Sequence, residues 1–206
     1  HFSRHQEPNN YKRYDKNKKY KFITCFDSNE STFEFAEFKE VELHYFPLSI
    51  EFDMSKRSWE PTQNKTKKIG MFTRLTKAKP LDLFMYAIHL MKDENVELHI
   101  YGSGDPDEFG YNRMIEYLML ENRVFFKGHS ESITDTVIDD KLDLIWFHGY
   151  YQNPGGNASF DLSNIKTPQV YWDYTPNYKL KKQDDYPMFN DLEEFVAFTK
   201  EVLGDD

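Results

Sequence analysis

The sequence predicts an α/β fold built on a doubly wound parallel sheet. From residue 68 onward, short apolar runs typical of buried strands alternate with longer runs of helical period. Strands that alternate with helices indicate right-handed crossovers, and therefore parallel strands. A chain of 206 residues with 39% hydrophobic residues is large enough to bury such a core. The predicted strands are 68–73, 96–101, 123–127, 142–147 and 168–172, and the predicted helices are 79–92, 107–120, 132–139, 157–165 and 191–203.

The first third of the chain is less regular. Residues 1–19 are polar and are predicted to form a poorly ordered leader. Two short strands are predicted at 20–25 and 41–46. The polar segment Ser55–Lys68 contains Pro61 and is predicted to be a linker. The predicted organisation is a leader over 1–19, a short strand-containing segment with the linker over 20–66, and an α/β domain over 67–206.

Composition excludes several classes of protein. The single cysteine, Cys25, rules out an internal disulfide and is typical of a cytoplasmic protein. The formal net charge of -9 argues against a nucleic-acid partner. No apolar run approaches the ~18 residues that a membrane-spanning helix needs. The basic stretch 12–19 has two interpretations: a solvated leader, or a contact with anionic lipid that would place the protein at the inner face of the membrane.

Two cations follow the first strand of the predicted sheet. The strand breaks directly into residues 74–80, so that Arg74 and Lys79 lie at its carboxyl end, five residues apart. In an open α/β sheet, this edge is where ligands bind. Fixed cations at such an edge favour an anionic ligand, of which a diphosphate is the simplest.

Glycines follow the second and third strands. Gly102 and Gly104 permit a tight turn and let a ligand approach the backbone. The third strand ends at Gly128 and His129. Between these loops, residues 105–107 form an Asp-Pro-Asp triplet with two interpretations. It is either an oxygen-ligand site for a divalent metal or the start of a helix, with the first Asp as its N-cap.

The fourth strand leads into a second glycine-rich loop. Gly155 and Gly156 precede a predicted helix, whose first backbone N–H groups would face a phosphate. Asp161 lies about one turn into that helix, and its carboxylate is expected to point back toward the same site. His148 directly follows the strand and has two interpretations, a residue facing the site or a hydrogen-bonded loop histidine.

These motifs together resemble the retaining glycosyltransferases of family four. In that family, the fourth strand is followed by Glu, seven residues and Glu, and then by a Gly-Thr/Val-Pro-Val strand start. Anchored on Thr167 and Pro168, the second Glu falls on Asp161 and the first on Asn153. The resemblance covers about residues 67–203. It implies the Rossmann-like C-terminal half of a GT-B glycosyltransferase, with 20–66 as a remnant of the N-terminal domain plus the linker.

The resemblance implies a nucleotide-diphospho-sugar donor with neither a metal nor a cofactor. Arg74 and Lys79 would neutralise the departing diphosphate, and Asn153 would contact the donor sugar, so these three are the predicted catalytic residues. Asp161 would bind the donor ribose. A glycan or lipid-linked acceptor would bind through the N-terminal domain, so this fragment alone is expected to be inactive. The other predicted donor-binding residues are Gly128, His129, Gly155, Gly156 and Asn157.

Two alternatives remain open at this point. An amide at position 153, where the family has a carboxylate, favours a catalytically degenerate module that binds or supports a partner enzyme. A nucleotide-sugar epimerase of the same two-domain architecture would share the diphosphate site, but it would need acid/base carboxylates that the sequence does not identify.

Overall fold

The structure of the chain is a computed structural model. The chain divides into two compact units, residues 1–51 and 52–206. The domain bounds drawn from the sequence remain a prediction. The residues that the structure describes are 17–24, 40–45, 58–76, 79, 81–149, 156–173 and 187–204.

The described part of the first unit is a pair of parallel strands. Strand β1 (Lys19–Thr24) pairs with strand β2 (Glu40–Tyr45) in an unbroken register. Both strands lie within a residue of the two that the sequence predicts. Most of the predicted leader, residues 1–16, lies outside the described residues.

The second unit is built on a six-stranded sheet in which every pair is parallel. The strand order is β5-β4-β3-β6-β7-β8, so the chain reverses direction across the sheet between β3 and β6. This order is that of a doubly wound, Rossmann-like sheet, which confirms the predicted fold class. The strands are β3 (Lys67–Phe72), β4 (Val96–Tyr101), β5 (Val124–Gly128), β6 (Leu144–Gly149), β7 (Gln169–Asp173) and β8 (Met188–Phe189).

In the described part of this unit, five α-helices connect or follow the strands. One predicted helix is divided: a 3₁₀ turn at Asp107–Phe109 precedes the helix proper, because Gly110 between them adopts a left-handed φ of 74°. The two-residue strand β8 was not predicted from the sequence. The helices are α1 (Leu81–Leu90), α2 (Tyr111–Tyr117), α3 (Ile133–Asp139), α4 (Gly156–Ile165) and α5 (Leu192–Leu203).

The helices cover both faces of the sheet and make two cores. On one face, α1, α2 and α5 pack over a cluster in which the ring of Trp146 makes tilted contacts with Phe84 and Phe195. The indole Nε1 of Trp146 donates to Thr199 Oγ1 at 3.1 Å. On the other face, α3 and α4 pack over a cluster that includes Leu142. The sheet is therefore a buried middle layer, and only its edges reach solvent.

The amino-terminal edge of the sheet is closed by the segment before β3. The indole N–H of Trp59 donates to Leu142 O at 2.8 Å, and its backbone N–H donates to Ile165 O at 3.1 Å. Residues 58–66 belong to the predicted linker, and they pack against the α/β unit.

Asp143 organises the polar contacts of that edge. Its buried carboxylate accepts hydrogen bonds from the Lys68 backbone N–H at 2.8 Å and from Asn64 Nδ2 at 3.2 Å. It also accepts from the hydroxyl of Thr62, and Lys67 Nζ lies 3.6 Å away. Every oxygen of this buried carboxylate is therefore engaged, as burial of a charge requires.

Candidate functional site

The two strands at the reversal of strand order end side by side. Strand β3 pairs with β6 in the register Ile69↔Leu144. The same offset of 75 positions brings Thr73 opposite His148, just beyond the paired residues, where Thr73 Oγ1 and His148 Nε2 lie 3.0 Å apart. In doubly wound sheets, the crevice outside the carboxyl ends at such a reversal is where ligands bind. Thr73 and His148 therefore form the floor of the candidate site.

His148 is an uncharged part of this floor. Its ring is partly buried, with the ring centroid of Phe84 at 6.0 Å. Burial, and then the nearby charge of Lys79, lowers the pKa of His148 to about 3. The imidazole is therefore neutral near pH 7, and which atom donates in the contact with Thr73 depends on its tautomer.

Arg74 and Lys79 lie together above this floor. The Arg74 side chain is exposed and Lys79 is half-buried. Burial, and then the charge of Arg74, lowers the pKa of Lys79 below its ordinary value. Among the residues described, neither head group forms an ion pair. Two neighbouring like charges that have no ion-pair partner among the described residues make a site that favours an anion.

The backbone of Lys79 is fixed where the chain enters α1. Its N–H donates to Thr76 O at 2.9 Å, and its carbonyl accepts from the Tyr111 hydroxyl at 3.0 Å. The hydroxyl comes from α2, so the position of the lysine depends on the packing of two helices on one face of the sheet. Lys77, Ala78 and Pro80 lie outside the described residues.

Gly102 and Gly104 make room for the protein's own backbone. A Cβ atom on Gly102 would lie 1.8 Å from Thr73 O. A Cβ atom on Gly104, which has a φ of +129°, would lie 2.6 Å from Leu75 Cβ. The sequence predicted that these glycines admit a ligand. That remains a prediction; the close approach that the structure shows is to the loop after β3.

The loops after three neighbouring strands are joined by hydrogen bonds. Thr73 N–H donates to Tyr101 O at 2.9 Å, and Leu75 N–H donates to Ser103 O at 2.9 Å. Gly102 N–H in turn donates to Gly128 O at 2.7 Å. Backbone pairing thus continues past the strand ends, and Arg74 sits between two buried, hydrogen-bonded neighbours.

The remaining predicted donor-binding residues occupy two places. Gly128, with a φ of +79°, and His129 are exposed at the end of β5, on the same carboxyl edge as Arg74. Gly156 is the first residue of α4, and Asp161 is partly buried further along that helix. Asn153, Gly155 and the side chain of Asn157 lie outside the described residues.

The Asp-Pro-Asp triplet forms a turn. Asp105 Oδ1 accepts from the backbone N–H of Asp107 at 2.9 Å, as expected of a residue that caps the start of a helix. Asp107 Oδ1 accepts from Asn112 Nδ2 at 2.6 Å. Within the described ranges, no group of three or more His, Cys, Asp or Glu side chains is arranged to hold a metal ion. The contacts of the triplet support the helix-start interpretation, although the helix is a single 3₁₀ turn.

Sequence comparison relates the chain to glycogen synthases, although no protein-family model matches it. It is 31% identical over 108 residues to the glycogen synthase of Bacillus cereus strain B4264, covering 52% of this chain and 20% of that protein. It is 29% identical over 85 residues to the glycogen synthase of Bacillus subtilis strain 168, covering 41% and 18%. The matched part of the chain therefore spans about a fifth of the length of these relatives.

Solved glycosyltransferases have the same fold. TarM superposes with a TM-score of 0.66 at 21% identity, covering 89% of this chain and 36% of TarM. HepE of Anabaena, solved with UDP and glucose, has a TM-score of 0.64 at 17% identity, covering 89% and 54%. Sucrose-phosphate synthase of Thermosynechococcus elongatus has a TM-score of 0.66 at 14% identity, covering 90% and 49%. The α/β unit therefore has the Rossmann-like fold of GT-B-type glycosyltransferases. Among the helices described, none has the length and apolar character to span a bilayer.

Proposed function

We propose that the chain is the donor-binding part of a glycosyltransferase that uses a nucleotide-diphospho-sugar and retains anomeric configuration. The observation that carries this proposal is the proximity of Arg74 and Lys79 at the carboxyl edge of the sheet, beside the reversal of strand order. The cations repel each other and form no ion pair among the residues described. A diphosphate between them would supply the missing counter-charge.

The same geometry suits the departure of a nucleoside diphosphate. When the bond to the sugar breaks, negative charge develops on the leaving oxygen, and fixed cations nearby stabilise that charge without reorganising. Arg74 offers a planar fork of donors, whereas Lys79 offers a point charge on a flexible stem. The neutral ring of His148 adds no third charge to the site.

Helix α4 supplies the rest of the proposed donor site. Its N-terminus at Gly156 follows the loop after β6, and the first backbone N–H groups of a helix attract phosphate. We assign Asp161, one turn further, to the ribose hydroxyls, with Gly155 and Asn157 beside the phosphate. Gly128 and His129 are assigned to the base. The proposed donor requires neither a metal nor a cofactor.

The remaining parts of the proposal concern the sugar and the acceptor. Asn153 is assigned to the donor sugar, and a glycan or lipid-linked acceptor is assigned to an N-terminal domain of the whole protein. We place this reaction in the cytoplasm, with a membrane contact through residues 12–19, and in polysaccharide or glycoconjugate synthesis. A catalytically degenerate scaffold is a second candidate, favoured by the amide of Asn153 at the position of a family carboxylate.

Calorimetric titration with a panel of nucleoside diphosphates and the matching nucleosides tests the proposal. Uridine diphosphate is the first probe, because HepE was solved with UDP. We expect the diphosphate to bind more tightly than its nucleoside, and Asp161→Ala to weaken both ligands because both contain the ribose. A chain that binds neither ligand would contradict donor binding and favour the scaffold. Transfer of a labelled sugar by the full-length protein separates the two candidates, and the 206-residue chain alone should be inactive.

A further inference from the structure

We infer that Thr73 and His148 are a positioning pair that holds Arg74 against the diphosphate. This inference rests on the proposed function, since it names residues that set the geometry of the same anion site. The pair joins the ends of the two strands that flank the reversal of strand order, with Thr73 Oγ1 and His148 Nε2 3.0 Å apart. Neither residue is required to touch the ligand, because both act through the backbone beside Arg74.

Thr73 is held from three directions. Its backbone N–H donates to Tyr101 O, and its carbonyl lies against Gly102, where even a methyl group would not fit. Its hydroxyl is held by His148 from the opposite side, across the reversal of strand order. Two contacts thus come from β4 and its loop, and the third comes from β6. The third contact therefore adds a restraint on Thr73 from the β6 side.

The backbone of Arg74 is restricted as well, because Arg74 directly follows Thr73 in the chain. On its other side, Leu75 is buried and its N–H donates to Ser103 O at 2.9 Å. The backbone of the exposed arginine is therefore set before a ligand arrives. Fixing the backbone from which the charged side chain extends lowers the ordering cost of binding. A loss of the Thr73–His148 contact should therefore act on the diphosphate and not on the nucleoside.

His148 also connects Thr73 to the region of Lys79, the second cation of the site. Its ring lies beside Phe84 of α1, the helix that begins just after Lys79. Threonine and histidine thus bridge the loop that carries Arg74 and the helix start that carries Lys79. Because burial keeps the imidazole neutral, the bridge adds no repulsion to the two cations.

Substitutions at Thr73 distinguish the effect of the hydroxyl group from the effect of side-chain shape. Thr73→Val is nearly isosteric but loses the hydroxyl, whereas Thr73→Ser keeps it. We expect Thr73→Val to weaken uridine diphosphate binding about two- to tenfold, the range for one net hydrogen bond, with uridine binding unchanged. Thr73→Ser should restore the diphosphate affinity. His148→Leu should have the effect of Thr73→Val, and the double variant should lose no more than either single one, because both remove one contact.

Thr199→Val is the matched control. It removes another buried hydroxyl contact to β6, the one with Trp146 Nε1, and lies in α5, which carries no residue of the proposed donor site. It should lower the free energy of unfolding and leave the ratio of diphosphate to nucleoside affinity unchanged. Amide hydrogen exchange gives a ligand-free readout, since Thr73→Val should speed exchange at residues 73 and 75 and Thr199→Val should not.

The outcomes separate failure of the inference from failure of the proposed function. If wild type prefers uridine diphosphate and Thr73→Val keeps that preference in full, the positioning inference is wrong and the donor site stands. If Thr73→Val and Thr199→Val reduce the preference equally, the effect is general destabilisation and the inference is again wrong. If wild type shows no preference for the diphosphate, both fail, because there is then no anion for Arg74 to meet.

Discussion

In the described part of the chain, the charged groups at the amino-terminal edge of the parallel strands have hydrogen-bond partners, and those at the carboxyl edge have few. At the amino-terminal edge, the carboxylate of Asp143 is buried and takes hydrogen bonds from three donors, with Lys67 close by. At the carboxyl edge, Arg74 and Lys79 lie near each other, and neither forms an ion pair within the described ranges. Among the described residues, the first edge supplies hydrogen-bond partners for its charge, whereas the second supplies no counter-charge for its two cations.

This difference indicates what each edge does. A buried carboxylate whose partners are all in place closes the sheet and fixes the segment before β3, which is a contribution to stability. Two cations that form no ion pair with any described residue add repulsion and contribute nothing comparable to the fold. The anionic ligand proposed above would explain their arrangement. Substitutions at the two edges can separate a contribution to stability from a contribution to binding.

The largest effect is expected at Asp143. Asp143→Ala leaves the hydroxyl of Thr62, the amide of Asn64 and the N–H of Lys68 without their acceptor. We expect a loss of about 3–5 kcal/mol in the free energy of unfolding, as for other broken buried charge networks. Urea denaturation measures this loss. Asp143→Asn, which keeps one acceptor oxygen, is the control and should lose less. Equal stability of wild type and Asp143→Ala would show that the network contributes nothing.

Gly102→Ala should affect both stability and binding. The added methyl would overlap Thr73 O and push the loop after β3 away, at about 2–3 kcal/mol of stability for such overpacking. Because this loop carries Arg74, diphosphate affinity should fall as well. Gly110→Ala is the control: its φ of +74° is strained for alanine, yet its Cβ would meet no atom within 4 Å. The control should lose stability only, and a Gly102→Ala variant with normal diphosphate affinity would break the link between the glycine and the arginine.

The third effect is a dependence of stability on pH through His148. Its pKa in the folded chain is about 3, against an ordinary value of 6.5, so the unfolded chain binds the proton first. The free energy of unfolding should therefore fall as pH drops from about 6.5 toward 3, by up to about 1.4 kcal/mol per pH unit. His148→Gln removes this component. Urea unfolding between pH 7 and 5 should show a shallower pH dependence for the variant, and parallel curves would mean that the ring is not desolvated.

The smallest effect concerns the carboxylate of Asp105. Asp105→Ala removes the acceptor for the Asp107 N–H and should lower the free energy of unfolding by about 0.5–1 kcal/mol, as for other capping residues. Asp105→Asn can still accept that hydrogen bond and should be close to wild type. Thermal unfolding with and without Mn²⁺ completes the test: a metal-dependent stabilisation that Asp105→Ala abolishes would restore the metal interpretation of the triplet.

Much of the fold was accessible from sequence because each strand is a compact apolar run between polar residues. The predicted and observed limits of β4 coincide, at 96–101. For β6 the observed strand is displaced by two residues from the predicted 142–147. Asp143 engages the amino-terminal edge, and the ladder continues instead through His148 and Gly149. A pattern of apolar residues cannot show which polar residues a ladder will include.

For a related reason, the sequence predicted only part of the candidate site. The position of Arg74 and Lys79 after a strand was enough to bring them to the carboxyl edge. The pairing of Thr73 with His148 depends on strand order and register, which join residues 75 positions apart. The role of Gly102 depends on the neighbouring loop in the same way, because a glycine in sequence shows that something comes close but does not identify it.

The most direct test of the proposed diphosphate site is a titration of uridine and uridine diphosphate into Lys79→Ala. We predict that the variant loses roughly 1.5–3 kcal/mol of diphosphate affinity, the range for hydrogen bonds to charged groups, keeps its uridine affinity and unfolds like wild type. Lys92→Ala, at an exposed lysine just after α1, is the matched control and should change neither affinity. An equal loss for uridine and uridine diphosphate in Lys79→Ala would show that the lysine is structural and would contradict the diphosphate site.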